Sequence, residues 1–400
     1  MERVKDYITK YVKGKVPKVM FSTKEPDTLP YLSPDYLRDV AEPEFYAKKS
    51  KNSVVVDDGE VIVLWDGSNA GEIFISKYGI LDSTMTMLQF DETQFDKTYF
   101  GYSFQNLEYI LKAKTAGSGI PHADKGVIGK LEIYKPSLSE QSAIATILSK
   151  VDETIASVKN SIVAAERLKK SLMQNLLTGR MKPDGSLRTE EDFYDDEKFG
   201  KVPLGWEVKK LKEIASIQRG IFSHRPRNDE RYYNGEYPFV QTSDVVGSVY
   251  FLKTASQSLN DLGKSVSKCF PCNTIIMTIA ANIGFVALTS YEVYFPDSLI
   301  GINANEEIIL PSFLFMALMK YQAILDAQAT ESAQKNINYS NLKPLQILYP
   351  SDKNEQHIIV DKIKAIFKDI EIKQDKIAVL ENLKKALMQN LLTGKVRVKK

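Results

Sequence analysis

A stretch of fourteen residues occurs twice in this chain, and it restricts the possible folds more than any other feature. Residues 168–181 read LKKSLMQNLLTGRM and residues 383–396 read LKKALMQNLLTGKV, with 11 of 14 positions identical. Agreement of this kind at a fixed offset indicates an internal repeat. The same offset continues without a gap back to residues 140–141 and 355–356, which both read EQ. The chain is therefore expected to contain two equivalent helical segments, each preceded by a globular stretch.

Both copies carry the spacing of a coiled-coil helix. Apolar residues recur mostly in steps of three and four, with Lys373 interrupting the second copy once. Because so long an apolar stripe must be covered, we expect the two helices to pair with each other as an antiparallel coiled coil with pseudo-twofold symmetry. The stripe comprises Ile144, Leu148, Val151, Ile155, Val158, Ile162, Leu168, Leu172 and Leu176, then Ile359, Ile363, Ile366, Ile370, Ile377, Leu380, Leu383, Leu387 and Leu391.

The ends of these helices also carry recognisable signals. Ser137 with Glu140 has the spacing of a capping box, in which the two side chains satisfy free N–H groups, and Asp352 with Glu355 provides the same in the second copy. Gly179 and Gly394 stand where a glycine ends a helix.

The remaining chain reads as two globules of mixed type. Short apolar runs bounded by turn residues, such as residues 54–56 and 61–65, indicate strands, and residues 95–113 and 311–327 each indicate a helix. We therefore predict an α/β (α+β) fold with two globular domains separated by two long helices. The predicted segments are a first domain at 1–137, a helix at 138–179, an acidic linker at 180–202, a second domain at 203–351, a helix at 352–394 and a basic tail at 395–400.

Composition excludes some classes of protein. The N-terminal residues lack the apolar core of a signal peptide, and no apolar run approaches the roughly 18 residues that a membrane span needs. The chain has two cysteines, Cys269 and Cys272. We expect a cytoplasmic protein without a membrane partner.

Charge is unevenly distributed along the chain. The formal net charge is +2, but residues 184–197 hold seven acids against the single base Arg188, which leaves about +8 on the rest. A positive balance of this size is compatible with nucleic-acid binding without requiring it.

Catalytic and metal-binding motifs are missing from the sequence. Gly263-Lys264-Ser265 resembles the end of a phosphate-binding loop, but position 258 is serine where that loop needs its first glycine. Cys269 and Cys272 have half of a zinc motif and no second pair. Residues 183–184 and 207–209 match the PD…[DE]xK pattern of nucleases, but Asp184 lies in the acidic linker rather than on a strand. We predict neither catalytic residues nor a metal site.

Segments that mix basic, polar and aromatic residues are the candidate nucleic-acid contacts. Arginine can bind phosphate or guanine, and aromatic rings can pack against sugar and base. Solvated surface loops are the open alternative for each segment. The candidates are Lys48, Lys49, Lys51, Asn69, Ser118, His122 and Lys125 in the first globule, and Arg219, His224, Arg225, Arg227, Arg231, Asn282, Lys335 and Asn336 in the second.

With these motifs in place, the chain resembles the specificity subunits of type I restriction-modification systems over nearly its whole length. The resemblance rests on residues 136–141 and 350–356, which enter the two helices through a proline and an EQ pair, and on the two LKKxLMQNLLTG helix ends. Residues 203–207, PLGWE, resemble the usual opening of a recognition domain. The first domain departs from the pattern, because residues 1–18 contain no Gly-Trp opening.

The resemblance implies a DNA-binding subunit without catalysis. Each globule would be a target-recognition domain for one half of a bipartite double-stranded DNA sequence, and the helix pair would fix the spacer. Two modification subunits would dock on the helices and carry S-adenosylmethionine, and restriction subunits would bring ATP and Mg, so that no cofactor belongs to this chain. The docking residues implied are Leu172, Met173, Asn175, Leu176, Leu387, Met388, Asn390 and Leu391.

Two alternatives come from other classes of protein. The chain could be a coiled-coil assembly scaffold that reads no DNA, or it could be a stand-alone DNA methyltransferase or nuclease. The missing catalytic motifs oppose the enzyme.

Overall fold

The computed structural model describes residues 1–114, 121–197, 199–280, 282–330, 337 and 339–398. The chain forms two compact units: unit 1 comprises residues Met1–Lys159 and Asp375–Lys400, and unit 2 comprises Asn160–Gln374. Each unit therefore contains one globule, the first part of one long helix and the last part of the other.

The described residues of unit 1 form three small sheets, the helices of its globule and parts of the two long helices. The sheet orders are β2-β9-β6-β7, β4-β3-β8-β5 and β1-β10, and β3 with β8 is the parallel pair. The elements are β1 Glu2–Arg3, β2 Ile8–Lys13, β3 Thr28–Leu32, α1 Pro34–Leu37, β4 Tyr46–Lys48, β5 Val55–Val56, β6 Val61–Leu64, β7 Ile73–Ile75, β8 Gly79–Leu81, β9 Met85–Phe90, α2 Lys97–Ala113, α3 Lys125–Lys130, β10 Glu132–Ile133 and, shared with unit 2, α4 Leu138–Leu176.

Unit 2 repeats this topology strand for strand. Its sheet orders are β14-β21-β18-β19, β16-β15-β20-β17 and β13-β22, with β15 and β20 parallel, and it adds the hairpin β11-β12. The elements are β11 Phe193–Asp196, β12 Gly200–Pro203, β13 Trp206–Lys210, α5 Leu211–Ile214, β14 Ala215–Arg219, β15 Tyr233–Phe239, α6 Thr242–Val246, β16 Gln257–Leu259, α7 Asp261–Ser265, β17 Cys269–Phe270, β18 Ile275–Thr278, β19 Val286–Leu288, β20 Val293–Tyr294, β21 Leu299–Ala304, α8 Pro311–Met319, α9 Gln322–Thr330, β22 Gln346–Pro350 and, shared with unit 1, α10 Lys353–Leu391.

The long helices α4 and α10 have 39 residues each, which corresponds to about 58 Å at 1.5 Å per residue. They pair antiparallel within each unit: Asp152 of α4 contacts Lys384 of α10 in unit 1, and Lys169 of α4 lies 5.1 Å from the ring of Phe367 of α10 in unit 2. The predicted mixed fold with paired long helices is confirmed. Gly179 and Gly394 follow the helices with φ of +66° and +73°, a backbone conformation that favours glycine.

The predicted apolar seam holds for most of its length but was wrong at the repeat itself. Leu168 and Leu383 are 53% and 47% exposed. A strict seven-residue step from Ile162 and Ile377 leads to Lys169 and Lys384 instead, one position further on. These lysines lie in the seam with 18% and 23% of their side chains exposed, since their aliphatic stems can pack while the ammonium groups find partners.

The aromatic and acidic partners of these two lysines differ between the units. Lys384 lies 5.2 Å from the ring of Tyr102 and 2.7 Å from the carboxylate of Asp152. Lys169 pairs with Glu166 of its own helix and lies over Phe367. Phe367, and not the predicted Ile366, is the buried residue at that point of α10. The two copies of the repeated sequence therefore pack against different side chains in the two units.

A buried glutamine joins each long helix to its globule. The Gln141 Oε1 atom accepts the N–H of Asp96 at 2.8 Å, and its Nε2 atom donates to the carbonyl oxygens of Gln94 and Pro136, both at 3.0 Å. Gln356 makes the same three bonds with Leu310, Ile308 and Pro350, at 2.8, 3.1 and 2.8 Å. Asp96 and Leu310 are the residues immediately before α2 and α8, so one amide fixes the starts of two helices.

The glutamate beside each glutamine does not close the predicted capping box. The N–H of Glu140 does reach the Ser137 hydroxyl at 3.3 Å, but its carboxylate accepts two bonds from Arg397 at 2.8 and 2.7 Å. The hydrogen bonds from Arg397 hold the pKa of Glu140 below its ordinary value. Because a guanidinium forms a stronger bond to carboxylate than a backbone amide does, the partner 257 residues away prevails.

Glu355 in unit 2 is bound in the same way by another arginine. Arg188 donates to its Oε1 atom at 2.7 Å, and the indole N–H of Trp206 donates to it at 3.2 Å. Arg188 comes from the segment predicted as an acidic linker. That segment contains the β11-β12 hairpin, and Lys201 of β12 pairs with Glu190, which precedes β11, so its charges are partly compensated within an ordered structure.

Replacing either glutamine should loosen one unit and spare the other. Gln141→Ala or Gln356→Ala leaves one N–H and two carbonyl groups without their buried partner, which should lower the free energy of unfolding of that unit by about 3 kcal/mol. Urea unfolding combined with amide exchange at α2 and α8 measures this. The exposed neighbours Ser142→Ala and Asn354→Ala are controls and should change little. Equal loss of protection in both units from one substitution would contradict the prediction.

Candidate nucleic-acid interface

A cluster centred on Asp66 forms the first group of candidate contacts in unit 1. Asp66 follows β6, and its carboxylate accepts Lys13 Nζ at 2.8 Å and His122 Nδ1 at 2.6 Å. Burial alone would raise the pKa of Asp66, but the hydrogen bonds from Lys13 and His122 outweigh it and hold the pKa below its ordinary value. Lys13 and His122 stay more than half exposed, so the cluster presents donors to solvent.

Aromatic rings accompany this cluster. Tyr11 precedes Lys13 on β2 by two residues and meets Trp65 edge to face with ring centres 6.0 Å apart. The ammonium of Lys125 lies 4.9 Å from the ring of Tyr11. Sequence analysis had identified His122 and Lys125 but missed Lys13 and Tyr11, whose alternation on a strand gives no signal by itself.

Lys48, Lys49, Lys51 and Asn69, the other described candidates of unit 1, do not contact the Asp66 carboxylate. Lys48, Lys49 and Lys51 lie on β4 and the turn after it, around a cavity of about 510 Å³ that Phe21 also lines. Lys49 lies 5.5 Å from the ring of Tyr78. Asn69 is exposed in the loop after β6, and Ser118 lies outside the described residues.

Three arginines gather around Asp297 in unit 2. Arg219 is the last residue of β14 and donates from Nε to the Asp297 carbonyl oxygen at 2.5 Å. Arg225 Nη2 lies 3.5 Å from the Asp297 carboxylate, and Arg227 Nη2 also pairs with it. Because the cluster holds three guanidinium groups and one carboxylate, it keeps a positive charge, and the side chains of Arg225 and Arg227 are about half exposed.

A second carboxylate orders the rest of this loop. Asp229 accepts Arg231 at 2.7 Å and His224 Nε2 at 3.0 Å, and hydrogen bonds from Arg231 hold its pKa well below its usual range. The ring of His224 stacks on Tyr232 with centres 4.0 Å apart. Arg231 remains 76% exposed, so the candidate residues Arg219, His224, Arg225, Arg227 and Arg231 form two adjoining clusters on one loop.

The loop between β18 and β19 in unit 2 corresponds to the loop after β6 in unit 1. Asn282 is exposed there, and its carbonyl oxygen accepts the Thr278 hydroxyl. Ile337 N–H donates to the Ile279 carbonyl at 3.1 Å, which mirrors the backbone bridge between Asp66 and His122. Lys335 and Asn336 lie outside the described residues.

The repeated helix ends are only partly available as a docking surface. Leu176 and Leu391 are 1% and 4% exposed and belong to the cores of their own units, so the prediction that they contact a partner needs correction: apolar burial within the unit takes them. Leu172, Met173, Leu387 and Met388 pack at the edges of the same cores. Asn390 is exposed, and Asn175 is half-buried.

Exposed residues that are identical in both copies were missed by the sequence reasoning. Leu168 and Leu383 are the apolar members of this set, and Lys170, Lys385, Gln174 and Gln389 are its polar members. Packing within a unit does not require these side chains. Both helix ends therefore present the same outward residues.

The described residues contain neither a metal-ligand group nor a membrane-spanning helix. No group of three or more His, Cys, Asp or Glu side chains there is placed to hold a metal ion. Cys269 and Cys272 are exposed free thiols. Among the same residues, no helix is both long enough and apolar enough to cross a lipid bilayer.

Known proteins are similar to this chain in sequence and in fold. The family model described as type I restriction modification DNA specificity domain matches residues 2–167 and 203–382. The chain is 33% identical over 407 residues to the type I restriction enzyme MjaVIII specificity subunit of Methanocaldococcus jannaschii, covering 99% of this chain and 92% of that protein. It is 26% identical over 330 residues to the MjaIX specificity subunit of the same organism, covering 75% and 68%.

A solved structure gives an independent comparison of fold. The crystal structure of the S subunit of a type I restriction-modification system from M. genitalium superposes with a TM-score of 0.63 at 14% sequence identity, covering 98% of this chain and 95% of that one. At this identity the likeness concerns the fold.

Removing an arginine of the Asp297 cluster should weaken DNA binding without changing the preferred bases. Arg225→Ala and Arg227→Ala each remove one cation suited to phosphate, so affinity should fall about equally for all sequences. The slope of log affinity against log salt should decrease by about 0.9 for each arginine. Fluorescence anisotropy of the complex with its partner subunits, over a range of salt, measures both quantities.

Lys212→Ala is the matched control, because it removes an exposed positive charge of unit 2 away from this loop. It should leave affinity and salt slope nearly unchanged. A variant of Arg225 or Arg227 that alters base preference at constant salt slope would identify a base contact and refute the phosphate role.

Proposed function

The chain belongs to the type I restriction-modification DNA specificity family and is a DNA sequence-recognition subunit, and on this premise we propose that its two units read the two halves of a bipartite target. The observation that carries this proposal is one topology occurring twice with different charged groups mounted on it. Where β2 ends in Lys13 beside Asp66, the equivalent β14 ends in Arg219 beside Asp297. Equal scaffolds with unequal donors suit two unlike half-sites.

The proposed recognition uses two kinds of contact. The exposed cations of the Asp66 and Asp297 clusters bind phosphate and set the position of the duplex, while neighbouring polar side chains meet base edges. The carboxylates hold the cationic side chains in place before DNA arrives, which reduces the conformational entropy that binding must remove. The paired helices α4 and α10 keep the spacing of the two half-sites.

We assign no reacting group to this chain. The sequence contains no adenine-methyltransferase tetrapeptide, and the relatives are named specificity subunits. Methyl transfer would then belong to modification subunits that carry S-adenosylmethionine, and cleavage to restriction subunits that use ATP and Mg. A cytoplasmic location fits a protein that works on intracellular DNA.

Two modification subunits are the proposed occupants of the repeated helix ends. The support is the set of exposed residues common to both copies, headed by Leu168 and Leu383. Two equal surfaces on one chain suit two copies of one partner. Neither the scaffold without DNA reading nor the stand-alone enzyme is favoured by any contact described above.

Exchanging the globule of unit 2 should change one half of the target. Residues 203–350 can be exchanged as one segment because its two ends meet: Trp206 and Pro350 stand opposite each other in the β13-β22 pair. Replacing them with the equivalent residues of a homologous specificity subunit should change one half-site and leave the other half-site intact. Methylation-aware sequencing of a host with and without the hybrid gene gives the motif. A change in both halves would contradict separate reading by the two units.

Charges on the exposed leucines should block partner docking in steps. Leu168→Asp or Leu383→Asp alone should reduce the complex from two modification subunits to one, and the double variant should retain none, while unfolding of the isolated chain stays unchanged. Native mass spectrometry counts the subunits. Leu187→Asp is the control, since Leu187 is 68% exposed and lies outside the helices. A double variant that still binds two subunits would exclude this surface.

A further inference from the structure

A cavity of about 590 Å³ opens beside the arginine cluster of unit 2. Its apolar wall consists of Phe222, Tyr233 and Phe239, whose ring centres lie 5.3 to 6.0 Å apart. Phe222 and Phe239 are buried, so this wall is part of the packed interior and is rigid. Arg227 and Pro296 border the same cavity, which places it next to the positive groups around Asp297.

Two glutamines on the cavity lining hold each other in position. Gln241 Nε2 donates to Gln257 Oε1 at 2.8 Å. Gln241 stands immediately before α6, and Gln257 is the first residue of β16. This bond fixes which end of the Gln257 amide is the carbonyl. It leaves both N–H groups of Gln257 and the second lone pair of its oxygen available to a ligand.

Asp244 holds the backbone on both sides of this amide pair. Its Oδ2 atom accepts the N–H of Gln241 at 2.8 Å, the N–H of Ser256 at 3.1 Å and the Ser256 hydroxyl at 3.0 Å. Gln257 also stands opposite Phe239 in the β15-β16 ladder. The amide pair is therefore mounted on two fixed backbone segments, as a recognition group requires.

The chemistry of the lining selects a neutral ligand with both a donor and an acceptor. The lining holds one carboxylate, Glu230, and one guanidinium, Arg227, so its charges balance inside the cavity, whereas Arg219 and Arg225 beside it can attract phosphate. An amide offers a carbonyl oxygen and an N–H side by side, and adenine presents the matching N6 donor and N7 acceptor in the major groove. Phosphate binding and base reading would thus lie next to each other.

We infer that Gln257 reads an adenine of the half-site recognised by unit 2 and that Gln241 positions the Gln257 amide. The inference rests on the proposed function and adds to it a reading residue, a positioning residue and a base. Gln257 is exposed on β16, and Gln241 is half-buried beside α6, which matches these two roles.

The test determines the methylated motif of host cells that carry wild-type or variant chain with all partner subunits. Gln257→Ala should reduce the preference for adenine at one position of one half-site by about tenfold to a hundredfold, the range for losing one two-bond contact. Gln257→Glu should move the preference at that position toward cytosine, because a carboxylate accepts from the cytosine amino group. Gln241→Ala should weaken the same preference less, and the other half-site should not change.

Gln346→Ala is the control and should leave the motif unchanged, since Gln346 lies on β22, the strand that leads into α10. A motif that stays identical in Gln257→Ala and Gln257→Glu would overturn the inference. So would a uniform loss of binding to all sequences, which indicates a phosphate contact. If the wild-type chain itself yields no bipartite motif, the proposed function fails first, and the two failures are distinguishable.

Discussion

A buried amide at the start of each long helix is the contact on which the two units depend. Gln141 and Gln356 each satisfy one N–H and two carbonyl groups through a side chain that is itself fully buried. A residue with only donors or only acceptors could not do this, since the three groups demand both. The amide ties the long helix to the first turn of the globule's own helix. Any movement of a globule against its helix would therefore break three hydrogen bonds of a buried side chain.

The repeated sequence at residues 168–181 and 383–396 has two structural roles. Its last leucines, Leu176 with Leu177 and Leu391 with Leu392, belong to the packed cores, whereas its first leucine faces outward in both copies. Lys169 and Lys384 lie in the seam, and each lies beside a different aromatic ring: Phe367 for Lys169 and Tyr102 for Lys384. Near-identity along the whole stretch thus reflects packing at one end and an outward surface at the other.

The sequence predicted much of the architecture because local signals define it. Helix ends at Gly179 and Gly394, the strand at residues 61–65 and the helix near residues 95–113 follow from spacing and turn residues in short windows, and the structure confirms them. The helix predicted over residues 311–327 is divided instead, with α8 ending at Met319 and α9 starting at Gln322.

Contacts between residues far apart in the chain were not predicted from the sequence. The capping role expected of Glu140 was lost to Arg397, and the arginines near residue 225 meet Asp297 about 70 residues later. Spacing within a short window carries no information on such pairs. The register at Leu168 failed for a different reason, because a lysine with a long aliphatic stem can occupy a seam position that a hydrophobic pattern assigns to leucine.

Unit 2 is continuous in sequence whereas unit 1 is not, and this difference affects how the chain folds during synthesis. Unit 2 is one uninterrupted segment, Asn160–Gln374, whereas unit 1 joins Met1–Lys159 to Asp375–Lys400. The ribosome delivers every residue of unit 2 before it delivers the last part of α10 and the Arg397 that binds Glu140. Domains usually complete their folding from the N-terminus during synthesis. Here unit 1 begins before unit 2 but is completed after it, and its core stays open at Leu391 and Leu392 until the last part of α10 has been made.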